Sequence, residues 1–281
     1  MKINQTKLLV KNNLPDGFFY IGQDNYFISN LNNPSVRDKH YLYSDSATSC
    51  IIVIVEGKDK DSNPIIALSH LSRTERFLAF FKIVSKTFHG QVSIFAQGAN
   101  PPQPALKNNE YTYTSLLNEK TVINWINDNI FIPSASSMDK NDSKPNWYIS
   151  QSSLSLGLGN PQLDDRGCYG IDLGTMIVSN EEFVLTPLQR DPTGGVQTLY
   201  CVFGLKVKPQ IVLQLASQDF TPEQIKLLVD AANKENWVSI LKMTKDEVLN
   251  KYSSTPQYEA PWFYESLRIS AEYVLNYNNK N

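Results

Sequence analysis

Cysteine and histidine are the residues of this chain most suited to nucleophilic chemistry, and it carries three of each. Cys50 heads the continuously apolar, β-branched run Ile51-Ile52-Val53-Ile54-Val55, and His70 closes the shorter run Ile65-Ile66-Ala67-Leu68-Ser69. Two such runs, joined by the polar stretch from Gly57 to Pro64, read as a hairpin. With the turn near Lys60, antiparallel pairing sets Cys50 opposite His70, on one face and with Cβ atoms about 4.5–5.5 Å apart. A free thiol with a pKa near ~8.5 is mostly protonated at neutral pH, and an adjacent imidazole is what makes it a nucleophile. On residue types alone a second reading stays open, in which Cys50 is a small core residue and His70 is merely hydrogen-bonded. Cys168, Cys201, His40 and His89 have no comparable partner and read as structural.

The elements that must hold this pair follow from periodicity and turn residues. Gly17 to Ile21 and Tyr26 to Ile28 read as short strands, and the run after Cys50 as a strand covered on both faces. Ser72-Arg73-Thr74-Glu75 has the spacing of a capping box, and Phe77, Leu78, Phe80, Phe81 and Val84 recur on one face of the helix it would start. Val92 to Ala96 reads as a strand, followed by a Pro-rich turn from Asn100 to Pro104. Val122, Ile123, Trp125 and Ile126 suggest a short helix before Pro133. The segment 134–162 is rich in Ser, Asn, Asp and Gly and reads as a polar surface excursion. Strands are expected again at Tyr169 to Leu173, Phe183 to Leu185, Thr198 to Phe203 and Gln210 to Leu215. The end is helical, with capping boxes at Thr221-Pro222-Glu223-Gln224 and Thr244-Lys245-Asp246-Glu247 and a last helix from about Pro261. Together these predict one α/β domain of the α+β type over residues 1–281, with a mixed, largely antiparallel central sheet and packed helices.

Composition narrows the function. Twenty-six basic against 28 acidic residues leave a formal charge of -2, which offers no basic field for tracking phosphates, so nucleic acid is not an expected partner. No apolar run approaches the roughly 20 residues of a membrane helix, and no signal peptide is visible; a cytoplasmic, or alternatively nuclear, monomer is the expectation. Three widely spaced cysteines suit a reducing compartment. No cluster has metal-ligand spacing, and Gly157-Leu158-Gly159 lacks the third glycine of a phosphate loop, so neither metal nor cofactor is expected.

The segment Ser44-Asp45-Ser46-Ala47-Thr48-Ser49-Cys50-Ile51-Ile52-Val53, with Leu68-Ser69-His70 downstream, resembles the core of the protein N-terminal asparagine amidohydrolases. The likeness extends to Gly17 to Ile21, to Tyr169-Gly170-Ile171, and near the end to Ser254-Thr255-Pro256 and Glu259-Ala260-Pro261-Trp262-Phe263. The chain departs from that pattern at Ser46, where an acidic residue is expected, at Ser49, where Thr is expected, and at Gln97-Gly98 in place of paired glycines. The 57–64 loop is also longer. More distantly the layout is similar to the chemotaxis-receptor glutamine deamidases and to toxins of the cytotoxic necrotizing factor type, which carry a small hydroxyl residue six positions before the cysteine. Ser44 matches it.

The resemblance implies a substrate peptide or protein with an exposed amino-terminal Asn, converted to Asp with release of ammonia. It implies Cys50 as nucleophile, His70 as base, and Ser44 as the residue orienting the imidazole, unless Ser44 only caps the turn. Thr48 and Ser49 are expected beside the substrate, with backbone amides at Ser49 and Cys50 facing the oxyanion. A substrate ammonium needs a carboxylate or several carbonyls, and Asp45 is the expected carboxylate, unless it only forms an Asx turn. Two alternatives are a cysteine deamidase acting on an internal Gln of a folded partner and a non-catalytic module that binds amino termini.

Overall fold

The computed structural model describes residues 17–30, 40–100, 113–130, 146–157, 166–253, 256 and 259–280. In chain order the elements are β1 (Phe18–Tyr20), β2 (Asn25–Asn30), β3 (Tyr41–Ala47), β4 (Ile51–Lys58), β5 (Pro64–Leu71), α1 (Thr74–Thr87), β6 (His89–Gly98), α2 (Tyr113–Asn129) and β7 (Trp147–Leu156). There follow β8 (Gly167–Asp172), β9 (Ile177–Ser179), α3 (Pro187–Arg190), α4 (Val196–Phe203), β10 (Gln214–Leu215), α5 (Pro222–Lys234), a 3-10 segment (Trp237–Lys242), α6 (Lys245–Tyr252) and α7 (Phe263–Lys280). The fold is α+β with mixed sheets: a six-stranded sheet ordered β10-β2-β5-β4-β6-β7 and a four-stranded sheet ordered β1-β3-β8-β9.

The hairpin β4–β5 forms the middle of the larger sheet, and its double-sided apolarity has a direct cause. Ile51, Val53 and Val55 pack with Phe77, Phe80, Phe81 and Val84 of α1 and with Val122 and Ile126 of α2. The alternate residues Ile52 and Ile54, with Ile66 and Leu68 of β5, pack against Leu42 and Ile171 of the smaller sheet. Each of these five β4 side chains is completely buried, worth about 1.5–3 kcal/mol apiece. The carboxyl-terminal helices gather around Trp237, whose indole donates to Ser270 Oγ at 2.9 Å. Arg76 of α1 reaches into that layer, donating to Tyr200 Oη at 3.1 Å and to the Ile211 carbonyl at 2.8 Å, while Asp24 faces its Nε at 3.4 Å.

The observed register differs from the expected one by two. Ile52 stands opposite His70 and Lys58 opposite Pro64, so the turn is centred on Asp61 rather than Lys60. Asp59 sets it: its carboxylate accepts from the backbone amides of Asp61 and Asn63 and from the Asn63 side chain, each at 2.9 Å. A shift of two preserves the face, so Cys50 and His70 remain on the same side, as diagonal rather than direct neighbours.

Other differences have equally local reasons. Ser72 does not cap α1: Arg73 is the N-cap, without a side-chain bond, and the Ser72 hydroxyl donates instead to the buried Asp24 carboxylate. The stretch Thr198 to Phe203, expected as a strand, lies in helix α4, because Val196, Leu199, Tyr200 and Phe203 form a helical stripe and Asp191 accepts from the Thr198 amide at 3.1 Å. The 134–162 excursion contains β7, an edge strand parallel to β6. Its other residues, except 146 and 157, lie outside the described ones, as do 101–104 of the Pro-rich turn and Ser254-Thr255. Phe183 to Leu185 forms no strand, and only Gln214–Leu215 of the next expected strand pairs. The capping boxes at Thr221 and Thr244 are both formed. Among the described residues no helix is long and apolar enough to cross a membrane.

Candidate active site

Strand β3, which sequence periodicity did not announce, supplies the centre of the site. Its polar residues Ser44, Asp45 and Ser46 look like a loop, yet Ser44 and Asp45 are 0% and 2% exposed. A bulge between Ser44 and Ala47, with Ser46 in a left-handed conformation at φ 59°, turns the three side chains toward separate partners. The Ser44 hydroxyl donates to the Ile21 carbonyl at 2.7 Å and sits 2.9 Å from His70 Nδ1. Its one proton goes to Ile21, so toward the imidazole it accepts. Nδ1 therefore carries the ring proton, and Nε2 is left as the basic nitrogen. Nε2 is buried and makes no hydrogen bond among the described residues.

Cys50 lies one residue before β4, at the wall of a cavity of about 620 Å³ that His70 also lines. The two belong to one face of the hairpin, where diagonal neighbours have Cα atoms about 7–8 Å apart and Cβ atoms somewhat closer. The Cys50 carbonyl accepts from Ala99 N at 2.8 Å, and Gly98 permits that approach: its φ is 136°, and a Cβ there would overlap the Cys50 carbonyl oxygen. Burial pushes the Cys50 thiol well up from its ordinary value, with Asp24 and Glu259 adding to the shift. Burial also lowers His70 to about 4, and Arg190 works in the same direction while Asp45 opposes both. Cys50 thus rests as a thiol and His70 as a neutral imidazole.

Asp45 is placed differently from the expectation for a substrate-binding carboxylate. It does not line the cavity; both oxygens are taken by Arg190, through Nη1 to Oδ1 and through Nη2 to Oδ2 at 2.8 Å. Hydroxyls of Tyr20 and Tyr43 add bonds at 3.2 and 3.4 Å. The reason is electrostatic: a carboxylate this deeply buried needs a full countercharge, and a bidentate guanidinium supplies it. Arg190 itself is held up by Tyr20 and Asp45 against the opposing effect of burial, and its guanidinium lies 4.3 Å from the Trp262 ring centroid. Trp262 in turn donates to Ser46 Oγ at 3.2 Å.

Thr48 and Ser49 do line the cavity, as do Asn118 of α2, Cys201 of α4 and Glu259 just before α7. Glu259 accepts a hydrogen bond from Ser253 Oγ, and its charge is close enough to raise the Cys50 thiol. Residue reasoning missed Arg190 and Asn118 and used Glu259 only as part of a resemblance. Asn118 carried a signal: with Ser115, Val122 and Ile126 it falls on the buried stripe of an otherwise exposed helix. Arg190 carried none, since only the fold brings it to Asp45, 145 positions away. Among the described residues no three His, Cys, Asp or Glu side chains converge as metal ligands do.

No family model matches the chain, and no curated protein matches it in sequence.

Proposed function

We propose that the cavity is the active site of a cysteine amidohydrolase that converts an amino-terminal Asn of a peptide or protein into Asp and ammonia. The observation that carries this reading is the Ser44–His70 bond, which puts the ring proton on Nδ1 and leaves Nε2 as the basic nitrogen of an imidazole that lines the same cavity as Cys50. His70 Nε2 takes the Cys50 proton as Sγ attacks the carboxamide carbon, and the carbonyl electrons move onto oxygen. The imidazolium then protonates the amide nitrogen, the carbon–nitrogen bond breaks, and ammonia leaves a thioester on Cys50. Water, giving its proton to Nε2, attacks the thioester; Cys50 departs as thiolate and recovers that proton. Because the resting pair is neutral, proton transfer accompanies attack rather than preceding it, which spares the site a buried ion pair between turnovers.

Depth favours a chain end as substrate. Cys50 is 7% exposed and His70 4%, so both are approached only through the cavity, whose volume lies within the range of small-ligand sites. An amino-terminal residue enters such a recess with a single exit for the rest of the chain. Its ammonium would be costly to bury alone, and we assign the role of receiving it to Glu259, a carboxylate of the cavity wall. The test is ammonia release from Asn-initiated peptides with free and acetylated amino termini. Release from the free peptide alone is the expected result; equal release from both would replace this reading with an internal-amide deamidase, and tight binding without release would replace it with a binding module.

A further inference from the structure

The loop that carries Cys50 is held through three successive carbonyls, each by a different donor. The Thr48 carbonyl accepts from Asn100 N, the Ser49 carbonyl from Asn118 Nδ2 at 2.7 Å, and the Cys50 carbonyl from Ala99 N at 2.8 Å. Two of the donors are backbone amides of the strip that follows β6. The middle one is a side chain, reaching in from α2. Asn118 Nδ2 uses its second proton on the Ser72 carbonyl at 2.9 Å, at the junction of β5 and α1, so one completely buried amide ties together the loop before Cys50 and the segment after His70. This double donation also fixes which way the amide points, because the reverse orientation would set its oxygen against two carbonyl oxygens.

The Ser49 carbonyl shares a peptide plane with the Cys50 N–H, and across a trans peptide the two point in opposite directions. Anchoring the carbonyl to Asn118 therefore aims the Cys50 amide the other way. Among the described residues no backbone carbonyl outside the helices and strands accepts from that amide, although backbone donors at buried positions are almost always paired. On the residue proposed as nucleophile, such an N–H is available as a donor to a tetrahedral oxyanion. We infer that Asn118 is a positioning residue that holds the Ser49–Cys50 peptide plane so that the Cys50 amide donates to the oxyanion. This rests on Cys50 being the nucleophile, as proposed above, and is independent of which amide is the natural substrate.

The experiment separates oxyanion stabilisation from thiol reactivity. Acylation of Cys50 by p-nitrophenyl acetate passes through a tetrahedral oxyanion, whereas alkylation by iodoacetamide is a displacement at saturated carbon and forms none. Both adducts are quantified on the Cys50 peptide by mass spectrometry, so that Cys201 and Cys168 do not contribute. Asn118→Ala is expected to slow acylation by about 10- to 100-fold, short of the roughly 100- to 1,000-fold that follows outright removal of an oxyanion donor, while alkylation stays within about threefold. Asn118→Leu, which keeps a similar shape and has no donor, is expected to do the same. Equal falls in both rates, or no selective fall in acylation, would overturn the inference. A selective fall in a protein that releases no ammonia from Asn peptides would leave the inference standing and reject the deamidase reading.

Discussion

Replacing His70 with Gln should remove a large part of the acid sensitivity of folding. In the folded protein the imidazole is lowered to about 4 from an ordinary 6.5, because burial disfavours its charged form. At 1.36 kcal/mol per pKa unit, that difference amounts to about 3 kcal/mol between pH 7 and pH 4. The sign is fixed by proton counting. Below about 6.5 the unfolded chain binds a proton that the folded chain refuses, so the stability held above that value is lost as pH falls and levels off only near 4. Carboxylates that titrate in the same window also contribute, and for that reason the informative quantity is the gap between wild type and His70→Gln, measured by urea unfolding at several pH values. The lost bond to Ser44 displaces the variant's curve vertically by an amount that does not depend on pH, whereas the missing titration changes its slope. A gap that closes by about 3 kcal/mol from pH 7 to pH 4 supports a buried neutral imidazole. Parallel curves would refute it, and with it the assignment of Nε2 as a neutral base.

Ser44→Ala leaves both the Ile21 carbonyl and the His70 Nδ1 proton without their buried partner, which should cost about 1–3 kcal/mol in urea unfolding and lower kcat by about 10- to 100-fold as the ring loses its fixed orientation. Arg190→Met strands the Asp45 carboxylate and should destabilise by about 3–5 kcal/mol; the double variant Asp45→Asn, Arg190→Met should recover much of that loss, as read from denaturation midpoints. Glu259→Gln should raise KM for free-amino Asn peptides by about 10-fold or more and leave kcat within about threefold, the pattern of a lost charge-assisted bond that binds ground and transition states alike.

How far the sequence leads depends on whether a feature is local. The β4–β5 hairpin, and with it the placing of Cys50 and His70 on one face, was legible because continuous β-branched runs flank one polar turn, and that shared face survived a two-residue error in register. That error arose at Asp59, whose side-chain capping of the turn moves its centre by one position. The helices at Pro222 and Lys245 were legible from their capping boxes, whereas Ser72 looked like a cap and serves Asp24, 48 positions earlier in the chain. Strand β3 was missed because its polar residues imitate a loop; they are buried only because His70, Arg190 and Trp262 arrive from distant elements to satisfy them. For the same reason Asp45 read as a free carboxylate. Long-range pairing of charge is invisible to periodicity, and the site's electrostatics are built almost entirely from it.

The central claim is that Cys50, deprotonated by His70, attacks the side-chain amide of an amino-terminal Asn. It is tested most directly by following ammonia release and the gain of one mass unit in an Asn-initiated peptide with wild type, Cys50→Ala and His70→Ala side by side. Turnover by wild type, with none above background in either variant while both remain folded, is the predicted result. Turnover that persists in folded Cys50→Ala would contradict it.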